Sequence, residues 1–493
     1  MEWWKIHHAM ADFPPLVEIP RLSFRRHPLA MPTDPEPPTL VWHRTDLRLA
    51  DNAAVTGAAE AARGGTLGVV VLPEDPAAPF MLAPTRGSAA IARAAARGAP
   101  PGVPCCSPRR LGHLLQALDG LREEWRAAGS ELVVLRGHPV DCIPALAAEL
   151  GAREVHTAPC PAFDELRENA GVARGLAAHG AELRVHDETT MIAAGDLPFG
   201  VAELPEVFSN FRRLVERACR VRAPLPVPVI REAPAAVHER AAERSAATLA
   251  APDLADARSA AAVHDPRSSF ASDGARAAGL ARIERWFWRD DRVARYKETR
   301  DGLPGADFSS RLSPWLALGT ISAREVAAEI RRYESERVAN DSTYWLFFEL
   351  LWRDYFHLWV RRWQGRAFKA SGVLGRTPCG AQDREAFVAW CEGTTGEPFV
   401  DAGMRELRAT GWLSNRARQN VASWLARTAG IDWRWGAAWF ESQLIDHDVG
   451  PNWGNWQYVA GVGNDPRNRV FDVRGQAERY DRDGAYRARW AGG

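Results

Sequence analysis

IDHDVGPNWGNWQYVAGVGNDPR, residues 445–467, is the stretch on which the reading of this chain turns. Asp446 and Asp448 stand two apart, and Gly450, Pro451, Asn452, Gly454 and Asn455 follow at once. Glycine and proline at that density predict a turn rather than a helix. Asn452 and Asn455 bring side-chain amides into tryptophan-rich surroundings, and an amide can donate to or accept from the edge of a heterocycle. Two readings stand level on these residues alone: a cofactor pocket, or an Asx-rich loop that caps the next helix.

The same stretch lies in a tryptophan-rich half: of 20 tryptophans, 16 lie beyond residue 280. Packing accounts for any one of them. As a group they need many partners for buried indole N–H groups, and they offer stacking faces and one-electron donors. Upstream, STYWLFFELLWRDYF (342–356) places Glu349, Trp352 and Arg353 at i, i+3 and i+4, on one helix face. A guanidinium in so apolar a segment requires a carboxylate or phosphate partner; a structural ion pair inside a core helix is the plainer reading. DFSSRLSPWLALGTIS (307–322) sets Ser309, Ser310 and Ser313 around Arg311 ahead of Pro314, which reads as an anion cradle or as a capped helix. TGWLSNRARQNVASW (410–424) alternates Arg416 and Arg418 with Asn415 and Gln419, a phosphate- or base-contacting surface or a solvated helix start.

Toward the N-terminus the period changes. LVWH (40–43), LGVVVL (67–72), LVVLRG (132–137) and VHTAP (155–159) read as strands, with helices at 111–129 and 143–151 among them. Strand and helix in alternation imply an α/β, doubly wound parallel sheet over 39–190. Residues 191–265, rich in Pro, Ala and charge, read as an interdomain connector with one helix near Glu206–Arg217. Residues 266–493 are helical in pattern, with Asp341 or Ser342 capping the long helix. Residues 1–38, with eight prolines, read as a disordered tail or as a start-site artefact with Met31 as the true start.

Composition narrows the class. Lys plus Arg and Asp plus Glu balance at 62 each, so any nucleic-acid groove must be local. No apolar run reaches the roughly eighteen residues of a membrane span. Seven scattered cysteines without a CxxC pair describe a reduced, cytoplasmic chain with no disulfide framework and no metal site.

WHRTDLRLADN (42–52), RYKETRDGLPGADFSSRLSPWLALG (295–319), NDSTYWLFFELLWRDYF (340–356), TGEPFVDAGMRELRATGWLSNRARQNVASWL (395–425) and IDWRWGAAWFESQLIDHDVGPNWGNWQYVAGVGNDPR (431–467), in this order, resemble the photolyase and cryptochrome flavoproteins, most nearly the cryptochrome DASH branch. The resemblance implies an antenna-type α/β domain followed by an all-α domain that holds FAD. It assigns Tyr296, Ser309, Ser310, Arg311, Leu312 and Ser313 to the cofactor phosphates. Trp345, Glu349, Trp352 and Arg353 would line the cavity, with Arg353 paired to Asp446. Asp446 and Asp448 would contact ribose and ring, Arg418 would be a further cofactor contact, and Asn452 would face flavin N5. Trp456 would be the indole nearest the ring and Trp433 the next electron carrier outward. Glu349, Trp352, Asn415, Arg416, Gln419 and Tyr458 would border the substrate mouth. Glu165 would touch a second chromophore, 5,10-methenyltetrahydrofolate, although residues 75–110 match the family poorly.

The implied activity is that of a deoxyribodipyrimidine photo-lyase: blue-light repair of cyclobutane pyrimidine dimers by electron transfer from reduced FAD. A photoreceptor with FAD and little repair is the alternative within the family; a light-independent nucleotide- or RNA-interaction protein would hold no flavin. A lesion leaving a duplex stack costs about a few kcal/mol, as for base-extruding enzymes generally. The DASH resemblance therefore implies single-stranded DNA as preferred substrate, with RNA a further partner and a monomeric chain. Two positions depart from the family. Its outermost electron-carrying tryptophan falls on Gly380, which leaves Trp390, Trp412 or Trp439 as substitutes, or a path that stops at Trp433. His447 stands where the branch has tyrosine, and reads as a surface contact or as a group whose protonation tunes the pocket near neutral pH.

Overall fold

The computed structural model describes residues 36–78, 100, 102–187, 189–268, 273–303, 305–377, 380–465, 467 and 470–492. The expected tail through residue 35 and much of the 75–110 stretch lie outside them.

Five strands, β1 Thr39–Trp42, β2 Thr66–Leu72, β3 Leu132–Arg136, β4 Glu154–Thr157 and β5 Glu182–Val185, form a wholly parallel sheet in the order β3-β2-β1-β4-β5. Four are the expected apolar runs. β5 is the largely exposed edge strand ELRV, and it lacks the apolar run that marks a doubly covered parallel strand. One face of the sheet packs Leu111, Leu115, Leu118 and Trp125 of the helix Pro108–Ala127. The other packs Ile143 and Leu146 of Pro139–Leu150 with Val172 and Leu176 of Phe163–Ala177.

The 191–265 stretch carries three helices rather than one: Phe208–Ala218, Ala235–Leu249 and Pro252–Ala262. The last two complete the cover of the sheet. Ser245 Oγ donates to Leu132 O and accepts from Val134 N, both at 3.0 Å, and Leu254 and Ala257 join the core beside Leu111. Alanine favours helix strongly but gives little amphipathic contrast, so these helices leave a weak trace in the pattern.

From residue 273 the described chain is helical. The central helix, Asp341–Trp363, is capped by Asn340, not by Asp341 or Ser342; Asn340 Oδ1 accepts from Ser342 N at 2.8 Å and Thr343 N at 3.1 Å. The larger correction concerns residues 449–460, which form a helix, Val449–Ala460, where a turn was expected. Pro451 falls in its first turn, where a missing N–H costs nothing. Gly450 and Gly454 face Phe356, and a Cβ on them would run into the Phe356 backbone and ring respectively. The glycines thus serve close approach of two helices rather than chain reversal.

The segment after β1 docks the sheet onto this helical half. Asp51 pairs with Arg324 at 2.8 Å, both nearly inaccessible, and Arg48 Nη1 donates to Gly319 O at 2.8 Å. Among the described residues no helix is long and apolar enough to cross a membrane.

Candidate functional site

One cavity among the helices Asn415–Ser423, Trp433–Gln443 and Val449–Ala460 brings together Asn415, Arg418, Gln419, Asp446, Asp448, Asn452, Trp456 and Tyr458, all singled out in the sequence. Ser414 Oγ caps the first of these helices by accepting from Ala417 N, and the i, i+4 spacing turns Asn415 and Gln419 to the same side. Asn452 Nδ2 donates to Ala437 O at 3.0 Å, which leaves its Oδ1 as the atom to offer a ligand.

The acidic pair divides its partners differently from the expectation. Asp446, not reached by Arg353, accepts from Arg418 Nη2 at 2.7 and 2.9 Å and from Ser313 Oγ at 2.7 Å. Arg353 lies instead with Nε 3.3 Å from Asp448 Oδ2. His357 Nε2 meets the same oxygen at 2.7 Å. Burial would raise the Asp448 carboxyl, but His357 and Arg353 outweigh it and hold the group at about 2. Asp448 is the N-cap residue of Val449–Ala460, so the helix that replaces the expected turn is what aims it at Arg353. His357 was not singled out; its i+4 spacing from Arg353 on one helix face was the available signal.

Of the expected mouth residues, Asn415, Gln419 and Tyr458 line this cavity, while Glu349, Trp352 and Arg416 are held by their neighbours. Glu349 accepts from Trp345 Nε1 at 3.1 Å and pairs closely with Arg300. Asp301, next to Arg300, pairs with Arg416 Nη2 at 2.9 Å, and Arg416 Nη1 donates to Gln419 Oε1 at 2.8 Å. Arg300 and Asp301 were passed over because nothing in their own segment marks them as a bridge. Trp352 meets Tyr458 edge-on at 6.4 Å.

The 309–313 loop is held from behind. Arg282 donates to Ser309 O and Ser310 O, each at 2.9 Å, and pairs with Asp307 at 3.0 Å. Arg311 adopts a left-handed backbone, φ +52°; its Nη2 donates to Gly305 O at 2.6 Å and its guanidinium lies over Trp412 at 4.0 Å. Leu312 is buried and precedes the helix Ser313–Leu318. Buried Tyr296 shares a hydrogen bond with Ser309.

Trp456 is buried beside Phe440 at 5.1 Å and Trp390 at 6.2 Å, whereas Trp433 meets Trp453 at 5.7 Å. His447 is not a surface contact: its side chain is 7% exposed and lies 3.7 Å from Glu441. Burial pushes the His447 pKa well below 6.5, which counts against the alternative of tuning near neutral pH. Glu165 is half-buried, and desolvation raises its carboxyl against the opposing pull of Arg44.

Trp456 Nε1 and His447 Nδ1 are buried by the cavity without a protein partner, and leaving such groups unmatched is costly. Two carboxylates, a guanidinium and four amides beside them fit a dinucleotide with hydroxyls, ring amides and phosphates. Comparison with known proteins agrees. A family model described as the FAD binding domain of DNA photolyase matches residues 345–492, and one described as DNA photolyase matches residues 39–229. A cryptochrome DASH from Gloeobacter violaceus is 42% identical over 452 residues, spanning 92% of this chain and 85% of the relative. One from Natronomonas pharaonis is 41% identical, spanning 92% and 89%. The solved Synechocystis cryptochrome matches with a TM-score of 0.80 at 36% identity, covering 93% of this chain and 89% of that one. A class III photolyase from Agrobacterium tumefaciens matches at 0.75 and 26%, covering 93% and 87%. The chain belongs to the photolyase/cryptochrome family, among relatives named cryptochrome DASH, and carries that family's FAD-binding domain.

Proposed function

We propose that this protein repairs cyclobutane pyrimidine dimers in single-stranded DNA under blue light. The observation that carries the reading is that one cavity is lined both by groups suited to the cofactor, Asp446, Asp448 and Asn452, and by groups suited to a base, Asn415, Gln419 and Tyr458. Electron donor and lesion would then meet without a protein wall between them. FAD, when bound, supplies the light-driven one-electron chemistry.

The chain's own residues do the rest. Arg418 and Ser313 fix Asp446, and Arg353 and His357 keep Asp448 ionised, so two oriented carboxylates face the hydroxyl and amide edges of the cofactor. Asn452, with Nδ2 held by Ala437 O, would offer its Oδ1 to the ring edge. Glu349, held by Arg300 and Trp345, offers a carboxylate oxygen to a pyrimidine imide, while Arg416 neutralises backbone phosphate at the rim. An extended single strand avoids the unstacking cost of a duplex, about a few kcal/mol, which favours it as substrate. Glu165 would serve a folate antenna in the α/β half.

The test is light-dependent repair of an oligonucleotide carrying one dimer, single- and double-stranded, by FAD-loaded protein. Repair of the single strand well ahead of the duplex is expected. No repair of either, with FAD fully bound, overturns the reading and leaves a photoreceptor.

A further inference from the structure

Trp456, the indole that lines the cavity, shares one buried aromatic cluster with Trp390, Trp433 and Trp453. An indole gives up an electron to a strong oxidant, and bound flavin under blue light is one. The fate of the hole then depends on the indole N–H. The radical cation is acidic at nitrogen, and loss of that proton traps it. Trapping requires a base within hydrogen-bond reach. Among the described residues Trp456 Nε1 has no protein partner, and Trp390 Nε1 and Trp433 Nε1 donate to the carbonyls of Val421 and Ala370, each at 3.0 Å. A backbone carbonyl does not hold a proton. Trp453 Nε1 donates instead to a carboxyl oxygen, Glu441 Oε2, at 2.8 Å. Trp453 lies one helical turn before Trp456 on Val449–Ala460, so their Cβ atoms are about 5–6 Å apart. Its ring also meets Trp433 edge-on at 5.7 Å. Gly380, by contrast, has no side chain to carry an electron outward.

We propose that Trp453 and Glu441 together end the electron path: Trp453 supplies the electron that reaches the cavity through Trp456, and its Nε1 proton passes to the Glu441 carboxylate. One electron goes to the excited flavin and one proton goes from Trp453 Nε1 to Glu441 Oε2. The N–H bond breaks, an O–H bond forms, and the indole is left as a neutral radical. The electron then returns only when the proton does, which prolongs the charge separation. The surroundings of Glu441 suit a proton acceptor. Burial pushes its carboxyl up to about 7, so the carboxylate takes a proton more readily than an exposed one. Arg110, whose Nη1 donates to Glu441 O at 2.6 Å, pulls the carboxyl down, while Asp164 and Glu165 push it up. His447 at 3.7 Å and the Cys105 and Cys106 thiols complete the titratable groups facing it, and burial keeps His447 neutral. The inference rests on flavin binding and goes beyond the repair reading.

The test is flash excitation of protein loaded with oxidised FAD, with the tryptophan radical followed by transient absorption and electron paramagnetic resonance. Wild type at pH 8 should give a long-lived neutral radical, and its yield should fall as pH drops through about 7 and Glu441 becomes protonated. Glu441→Gln keeps an oxygen for the Trp453 N–H but cannot take the proton. Its radical should stay cationic and decay roughly a hundredfold faster, the lower end of what a positioned base contributes, with no pH dependence from 6 to 8. Trp453→Phe should remove the long-lived radical, and Glu441→Gln carries the test alone if that variant does not fold. A purely structural role for the pair would change melting temperature or flavin content and leave the spectrum and lifetime of the radical alone. A neutral radical that persists in Glu441→Gln, or a pH dependence that survives there, overturns the inference. Dimer repair enters neither measurement, so this inference and the proposed function fail separately.

Discussion

Replacing Asp448 by asparagine probes the electrostatic centre of the cavity. The carboxylate takes Arg353 Nε at 3.3 Å and His357 Nε2 at 2.7 Å, and its side chain is 13% exposed. His357 and Arg353 hold its pKa at about 2 against an ordinary 3.8, although burial alone would raise it. At about 1.36 kcal/mol per unit, the ionised form is worth about 2 kcal/mol to the folded state. The folded pKa is depressed, so this contribution is fully present above the unfolded value near 4 and is lost as pH falls through about 2. Asp448→Asn removes the charge and leaves the Arg353 guanidinium without its carboxylate, which acts in the same direction. Urea denaturation of FAD-loaded protein should therefore find D448N less stable by about 2 kcal/mol, with the gap flat from pH 5 to 8 and narrowing toward pH 3. Equal stability at pH 7 would refute the reasoning, as would a gap that opens only below pH 4.

Two further perturbations probe the packing and the buried acid beside the cavity. Gly454→Ala places a methyl in the Phe356 ring and should force the helices Asp341–Trp363 and Val449–Ala460 apart, at about 1–3 kcal/mol and with a lower flavin-to-protein absorbance ratio; full flavin content with unchanged melting would contradict it. Glu441, which accepts from Trp453 Nε1 at 2.8 Å, is pushed by burial up to about 7. A raised carboxyl destabilises the fold increasingly as pH climbs from the unfolded value through about 7, so E441Q should gain melting temperature over wild type from pH 5 to 8, and a constant difference would count against that origin.

Much of the site was legible because its demands are local. An arginine in the run STYWLFFELLWRDYF must find a carboxylate or a phosphate, and the family resemblance, not the spacing, pointed to Asp446, two residues from Asp448. Which of the two it takes depends on backbone direction after residue 448. With a turn there, either assignment is open. With a helix starting at Val449, Asp448 becomes the cap residue beside Arg353, and Asp446 falls to Arg418 and Ser313. The sheet followed the same logic: four strands carry the apolar runs of a doubly covered parallel sheet, the buried edge strand β3 among them, and β5 has none because its edge is left largely exposed.

The glycines of VGPNWGNWQYVA explain why propensity misled at the stretch that mattered most. Glycine and proline carry two distinct meanings, freedom to reverse the chain and absence of bulk, and only a partner surface tells them apart. Here the partner is Phe356, on a helix almost a hundred residues upstream, and the absence of bulk at Gly450 and Gly454 lets the two helices close together. The same long-range dependence hides His357, which meets Asp448 across ninety residues of chain. Chemistry-bearing residue types were therefore readable one at a time. The contacts that orient them were not, because each is set by a residue that local sequence gives no reason to connect with it.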